Sequence, residues 1–156
     1  MKAVAARAAG ALAAAAFAPV LFAATAQAES GGTVYFAAGS TNCSIASDGS
    51  LGCDYAVPQR MSYVTRGDAY IPVPFPVGQV VIDIPWLPAH PGLGGPSHTL
   101  PGGNPRLSDV KTGEGQWGPY IDYAGAHCES GFHGSFSCSS KGHTFGDWSG
   151  NLTATL

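Results

Sequence analysis

The amino-acid sequence predicts a mainly β fold: a small antiparallel domain with two disulfide-closed hairpins and a long Pro/Gly-rich connection between them. Three observations predict it. The stretches "CSIASDGSLGC" (43–53) and "CESGFHGSFSC" (128–138) each frame nine residues between two cysteines, and together they use all four cysteines of the chain. Apolar residues around them recur with a period of two, the signal of half-buried strands. Ten of the twelve prolines fall within residues 58–105, where a fixed φ and a missing amide proton all but exclude helix.

Taken in order, residues 1–28 read as a signal peptide. Lys2 and Arg7 make a short basic start, an uncharged Ala-rich run follows, and Ala26-Gln27-Ala28 is an A-x-A cleavage pattern. An uncleaved anchor fits less well, because alanine is weakly hydrophobic and Pro19 interrupts the run. A single secreted β-rich domain is then expected at 29–156. No stable membrane insertion is expected after cleavage: the longest later apolar stretch, "AYIPVPFPVGQVVI", is cut by three prolines. Outside the cytoplasm, paired cysteines become disulfides.

Residues 33–57 alternate like paired strands, with Leu51, Cys53, Tyr55 and Val57 on one face. If Cys43 faces Cys53, then Ile45 faces Leu51 and the turn is Ser47-Asp48-Gly49. A three-residue hairpin loop commonly ends in a left-handed residue, and glycine takes that place at no steric cost. The same construction on the second stretch opposes Cys128 to Cys138 and Ser130 to Phe136, leaving Phe132-His133-Gly134 as the turn. Four cysteines formally permit three pairings. Opposed antiparallel positions hold α-carbons roughly 4.5–5.5 Å apart, within disulfide reach, which favours Cys43–Cys53 and Cys128–Cys138.

Residues 58–105 read as an irregular proline-rich segment holding two strand-like pieces, "MSYVT" (61–65) and "QVVIDI" with Val80, Ile82 and Ile84 on one face. The stretch 85–105 reads as an extended surface loop, either functional or poorly ordered. From residue 116 the alternation returns, in "YIDYA", the second hairpin and "NLTATL", where Leu152, Ala154 and Leu156 share a face.

After residue 28, five fixed cations (Arg60, Arg66, Arg106, Lys111, Lys141) face ten carboxylates, a net charge near −5. That balance argues against nucleic acid and anionic membrane surfaces as main partners, since both require a basic footprint. No catalytic set is recognisable: the G-x-S-x-G elbow is absent, and oxidised cysteines are not nucleophiles. Asp109 with Glu114, or Asp122 with Glu129, are candidate carboxylate pairs for a small hydrolase, yet their spacing fits solvated surface acids better. Cys128, His133, Cys138 and His143 recur every five residues beside His127, but without a tight Cys knuckle, so no metal and no cofactor is expected. Trp86, Trp117 and Trp148 are candidates for a stacking surface, and His143 with Phe145 and Trp148 for a small aromatic pocket, against the plainer reading of core packing and loop hydrogen bonds. Asn42-Cys43-Ser44 and Asn151-Leu152-Thr153 match the glycosylation pattern, relevant only in a glycosylating pathway.

The segment "YFAAGSTNCSIASDGSLGCDY" resembles the opening of small exported actinobacterial proteins in which an aromatic residue precedes a C-x(n)-G-x-x-C pair. "CESGFHGSFSCSSKGHTF" resembles their second block, a Cys pair followed by Gly-His-x-Phe, here Gly142, His143 and Phe145. The resemblance spans roughly residues 34–56 and 119–148. The family carries no assigned activity, so what it implies is export and disulfides, without a mechanism. The expectation is a secreted, non-enzymatic protein that binds an extracellular or cell-envelope ligand. A small hydrolase using Asp, Glu and His, or a structural envelope component, are the alternatives.

Overall fold

The computed structural model describes residues 29–30 and 32–156; the signal-peptide reading of residues 1–28 lies outside the described residues. The chain opens with β1 (Glu29–Ser30), β2 (Thr33–Ala38) and β3 (Thr41–Ala46), which meander into a long β4 (Leu51–Val64). β5 (Tyr70–Pro72), β6 (Val77–Ile82) and β7 (His90–Pro91) follow, then a single helical turn α1 (Leu107–Val110). β8 (Gly113–Glu114), β9 (Pro119–Tyr123), β10 (Ala126–Ser130), β11 (Phe136–Ser140), β12 (His143–Trp148) and β13 (Asn151–Thr155) complete a second meander.

β4 joins the two halves. Its first part pairs antiparallel with β3 and β6, and its last part pairs with β5 and with β13. The β4–β13 pairing is parallel, from Asn151 opposite Arg60 to Thr155 opposite Val64, so the sheet is mixed where an all-antiparallel one was expected. Short loops dictate antiparallel neighbours, but β4 and β13 are far apart in the chain and no turn constrains their direction. β4 also runs straight through Pro58, the expected start of the irregular segment. The pairing with β6 shifts register between Asp54 and Gln59, and such an irregularity is where a strand tolerates proline. Val57, expected inside, lies in this gap and is 71 % exposed. Leu156 falls past the end of β13 and is also exposed.

Both hairpins have the register the cysteine spacing implies. Cys43 opposes Cys53 and Cys128 opposes Cys138, each pair disulfide-bonded with α-carbons 4.1 Å apart. Gly49 and Gly134 both take left-handed backbone, at φ 79° and 77°. All four cysteines are buried and belong to one apolar core with Ile45, Leu51, Phe145 and Leu152. Phe36 of β2 and Phe136 of β11 meet at 6.3 Å between ring centroids, which places the two halves face to face across that core. Ser140 donates to the Gly49 carbonyl at 2.6 Å, tying one hairpin to the turn of the other.

The 85–105 connection is tied down by side chains. The Asp54 carboxylate accepts hydrogen bonds from Gln79 Nε2 (2.8 Å), Ser97 Oγ (3.0 Å), the His98 amide (2.8 Å) and Thr99 Oγ1 (2.7 Å). Asn104 Nδ2 reaches the carbonyls of Phe36, Cys43 and His98, while its Oδ1 accepts from the Leu100 amide. The His98 and Leu100 amides and the His98 carbonyl of the connection are thereby paired.

Candidate ligand-binding groove

Strand alternation on β11, β12, β13 and β4 builds the main concave site. Phe136, Phe145, Leu152 and Met61 point into the core. Their strand neighbours must therefore face out. Register then lines up Ser137, Gly146, Thr153 and Ser62 in one row across four strands, continued by Pro72 of β5. A parallel row holds Trp148, Asn151 and Arg60. Ser137, Thr153, Ser62 and Asn151 form the floor of a groove of about 910 Å³. One side is closed by residues 72–76, in which Pro72, Pro74 and Pro76 stiffen the wall, and the Val73 amide bonds the Met61 carbonyl at 2.8 Å. Three aromatic rings stand at its edges: Trp148 is 63 % exposed, Tyr70 66 % and Phe75 45 %.

The groove carries little charge. Arg60 is its one fixed cation and Asp147 its one acid. Burial pushes the Asp147 carboxyl above its ordinary range, opposed by the Gly150 amide. Beneath it, burial and the Asp147 charge push the Tyr55 phenol up, and the Tyr55 hydroxyl has no hydrogen-bond partner.

A second cavity, about 470 Å³, lies between β2, β3 and β6 and the 90–98 stretch. Ser44 Oγ and His98 Nδ1 are 2.7 Å apart there, which superficially resembles a nucleophile and base. The arrangement does not support that chemistry. Ser44 is only 6 % exposed, and Asp54 touches the His98 amide and not its ring. His98 Nε2 is buried without a partner and lies against Gly52, where a methyl group would overlap the ring. The cluster packs the connection onto the sheet.

Of the aromatic and titratable candidates from sequence, only Trp148 lines the larger groove, with the Asn151-Leu152-Thr153 glycosylation pattern beside it. Trp117 packs edge-on against Phe132 at 4.7 Å, and Trp86 stands 78 % exposed. His143 Nε2 lies 2.9 Å from the carbonyl of Pro85, next to Trp86 in the chain. The candidate pocket of His143, Phe145 and Trp148 does not form, because Phe145 alternates inward to 1 % exposure while Trp148 faces out. Glu114 is paired with Lys111. Asp122 and Glu129 do come together: they flank His127, whose Nδ1 is 2.7 Å from Asp122 and whose Nε2 is 3.8 Å from Glu129. Cys128 and Cys138 are bonded to each other and supply no thiolate, and among the described residues no group of three or more His, Cys, Asp or Glu is placed to hold a metal ion. Tyr70, Phe75 and the hydroxyl row were missed. The row's one sequence signal was the alternation of small polar with large apolar residues in "FSCSS", "HTFGDW" and "NLTAT"; Tyr70 and Phe75 lie outside these stretches, in the proline-rich segment. No family model, no curated protein and no solved structure matches the chain.

Proposed function

We propose that the chain is an exported, disulfide-stabilised binding protein that holds a ligand at or outside the cell envelope, in the groove beneath Trp148. The observation that carries this reading is a stiff-walled groove whose lining pairs exposed aromatic rings with short hydroxyl side chains. Export is supported by the Ala-rich leader with its cleavage pattern and by two buried disulfides, which an oxidising compartment sustains. No helix among the described residues is long and apolar enough to cross a membrane.

The test is retention on fractionated envelope material of protein secreted from the full-length chain. The wild type should be retained on at least one fraction, and Trp148→Ala should be released at unchanged melting temperature. Absence of retention on every envelope fraction and secreted protein would sink the reading. A second reading, a small hydrolase, is favoured by His127 between two carboxylates. It requires a hydrolytic activity that Asp122→Asn, Glu129→Gln or His127→Ala removes with the fold intact.

A further inference from the structure

We propose that the groove binds an uncharged polysaccharide chain laid across the strands, its sugar faces against Trp148 and Phe75 and its hydroxyls on the floor. The inference rests on the groove being the ligand site and names the class of ligand.

A sugar ring presents an apolar C–H face and a rim of hydroxyls, so a complementary site needs aromatic plates beside short polar groups. Both are present, and they are segregated: rings at the edges, and Ser137, Thr153, Ser62 and Asn151 on the floor. An amphipathic peptide helix would require the reverse, an apolar floor. A proline-rich peptide wants neighbouring aromatic ridges, whereas these rings stand on opposite sides of the floor. Trp148 on β12 and the β5 side are separated by three strand spacings, about 14 Å at about 4.8 Å each, so one ring cannot bridge them and the ligand is a chain. With one cation and one acid in the lining, neither polyanion nor polycation finds its counter-charge there.

Gly146 points the same way independently. Glycine inside a strand weakens it, and it persists where a bend, a bulge or an approaching ligand requires it. No positive φ explains it, its pairings with Ser137 and Thr153 are regular, and an added Cβ would rest 3.7 Å from Thr153 Oγ1, an ordinary contact. The fold has room for a side chain at this position. What the missing side chain keeps open is the floor of the groove.

The experiment titrates the secreted protein with soluble neutral glucans, a mannan and chitin oligosaccharides, with carboxymethylated glucan and a proline-rich peptide alongside. Tryptophan fluorescence and affinity electrophoresis are the readouts. At least one neutral glycan should shift the emission, and its oligomers should bind more tightly than its monosaccharide. Gly146→Val, Trp148→Ala and Thr153→Val should each weaken binding by roughly tenfold or more. If Gly146→Val fails to fold, Phe75→Ala and Thr153→Val, which leave the strand ladder untouched, decide the matter. Glycan binding that ignores these variants overturns the placement. If only the peptide, the charged glucan or an envelope protein binds, in a Trp148-dependent way, the ligand class is wrong and the groove reading stands. If nothing binds and envelope retention is also indifferent to Trp148, both fall.

Discussion

Asp54 is the residue through which the proline-rich connection is bound to the sheet. Burial alone would raise its carboxyl, but the hydrogen bonds from Gln79, Thr99, Ser97 and the His98 amide outweigh burial and hold it below its ordinary value of 3.8. A charged acceptor with several donors is worth more than a neutral one. Asp54→Ala should therefore cost about 2 kcal/mol in urea unfolding, with hydrogen exchange quickening at residues 97–104. His98 works in the same acidic direction. Burial lowers it below its ordinary 6.5, against the pull of the Asp54 charge. The unfolded chain then binds a proton that the folded chain refuses, so stability falls as pH drops below about 6.5. Asp54 adds a second fall below about 3.8, as its folded carboxylate is protonated. His98→Gln should flatten the first fall and leave the second, as melting temperature against pH would show; an unchanged profile removes His98 from this role. None of this was legible in the sequence. Asp54 and His98 are 44 residues apart, and a polar residue in a loop gives no sign of the partner that will bury it.

At the scale of elements, the hairpins were legible because their information is local. Cysteine spacing set the register, and a glycine at the third turn position set the bend. The structure distinguishes the two glycines, which the sequence could not. An alanine Cβ at Gly134 meets nothing within 4 Å, so Gly134→Ala should cost only the left-handed strain, about 1–2 kcal/mol. At Gly49 the same Cβ would sit 2.7 Å from the Ala124 carbonyl oxygen as well, and Gly49→Ala should cost at least twice as much in denaturant midpoint. Equal costs would mean that the Gly49 turn does not press on the β9–β10 turn. Replacing either cysteine pair by alanine should cost about 3 kcal/mol, from the loop entropy of a ten-residue separation. The elements that escaped the sequence are the non-local ones. Pro58 reads as a strand end unless the register shift beside it is known. The β4–β13 pairing joins Arg60 to Asn151, and no local pattern selects a parallel partner. The groove inherits the same difficulty: Trp148 stood out as an aromatic, but its companions Ser62, Tyr70 and Phe75 reach it only through that pairing.

For the whole molecule, the decisive feature is that one strand serves both halves. β4 pairs with β3, β6, β5 and β13, and one core runs from Phe36 and Ile45 through Tyr55 and Met61 to Phe136 and Phe145. Neither meander can bury its inner face alone, because the ring opposite Phe36 belongs to the other half. Folding should therefore be a single cooperative event despite the long proline-rich connection in the middle of the chain. Leu152→Ala on β13 provides the sharpest check. Leu152 is 1 % exposed and sits opposite Met61 on β4. Its truncation should cost about 2–5 kcal/mol. The loss should appear equally in the hydrogen-exchange free energies of amides around Cys43–Cys53 and around Cys128–Cys138, although only the second hairpin shares its meander with β13. Should protection fall only across β9–β13, the halves would be separate folding units, and the groove between β5 and β12 would close as a late docking step instead of forming with the core.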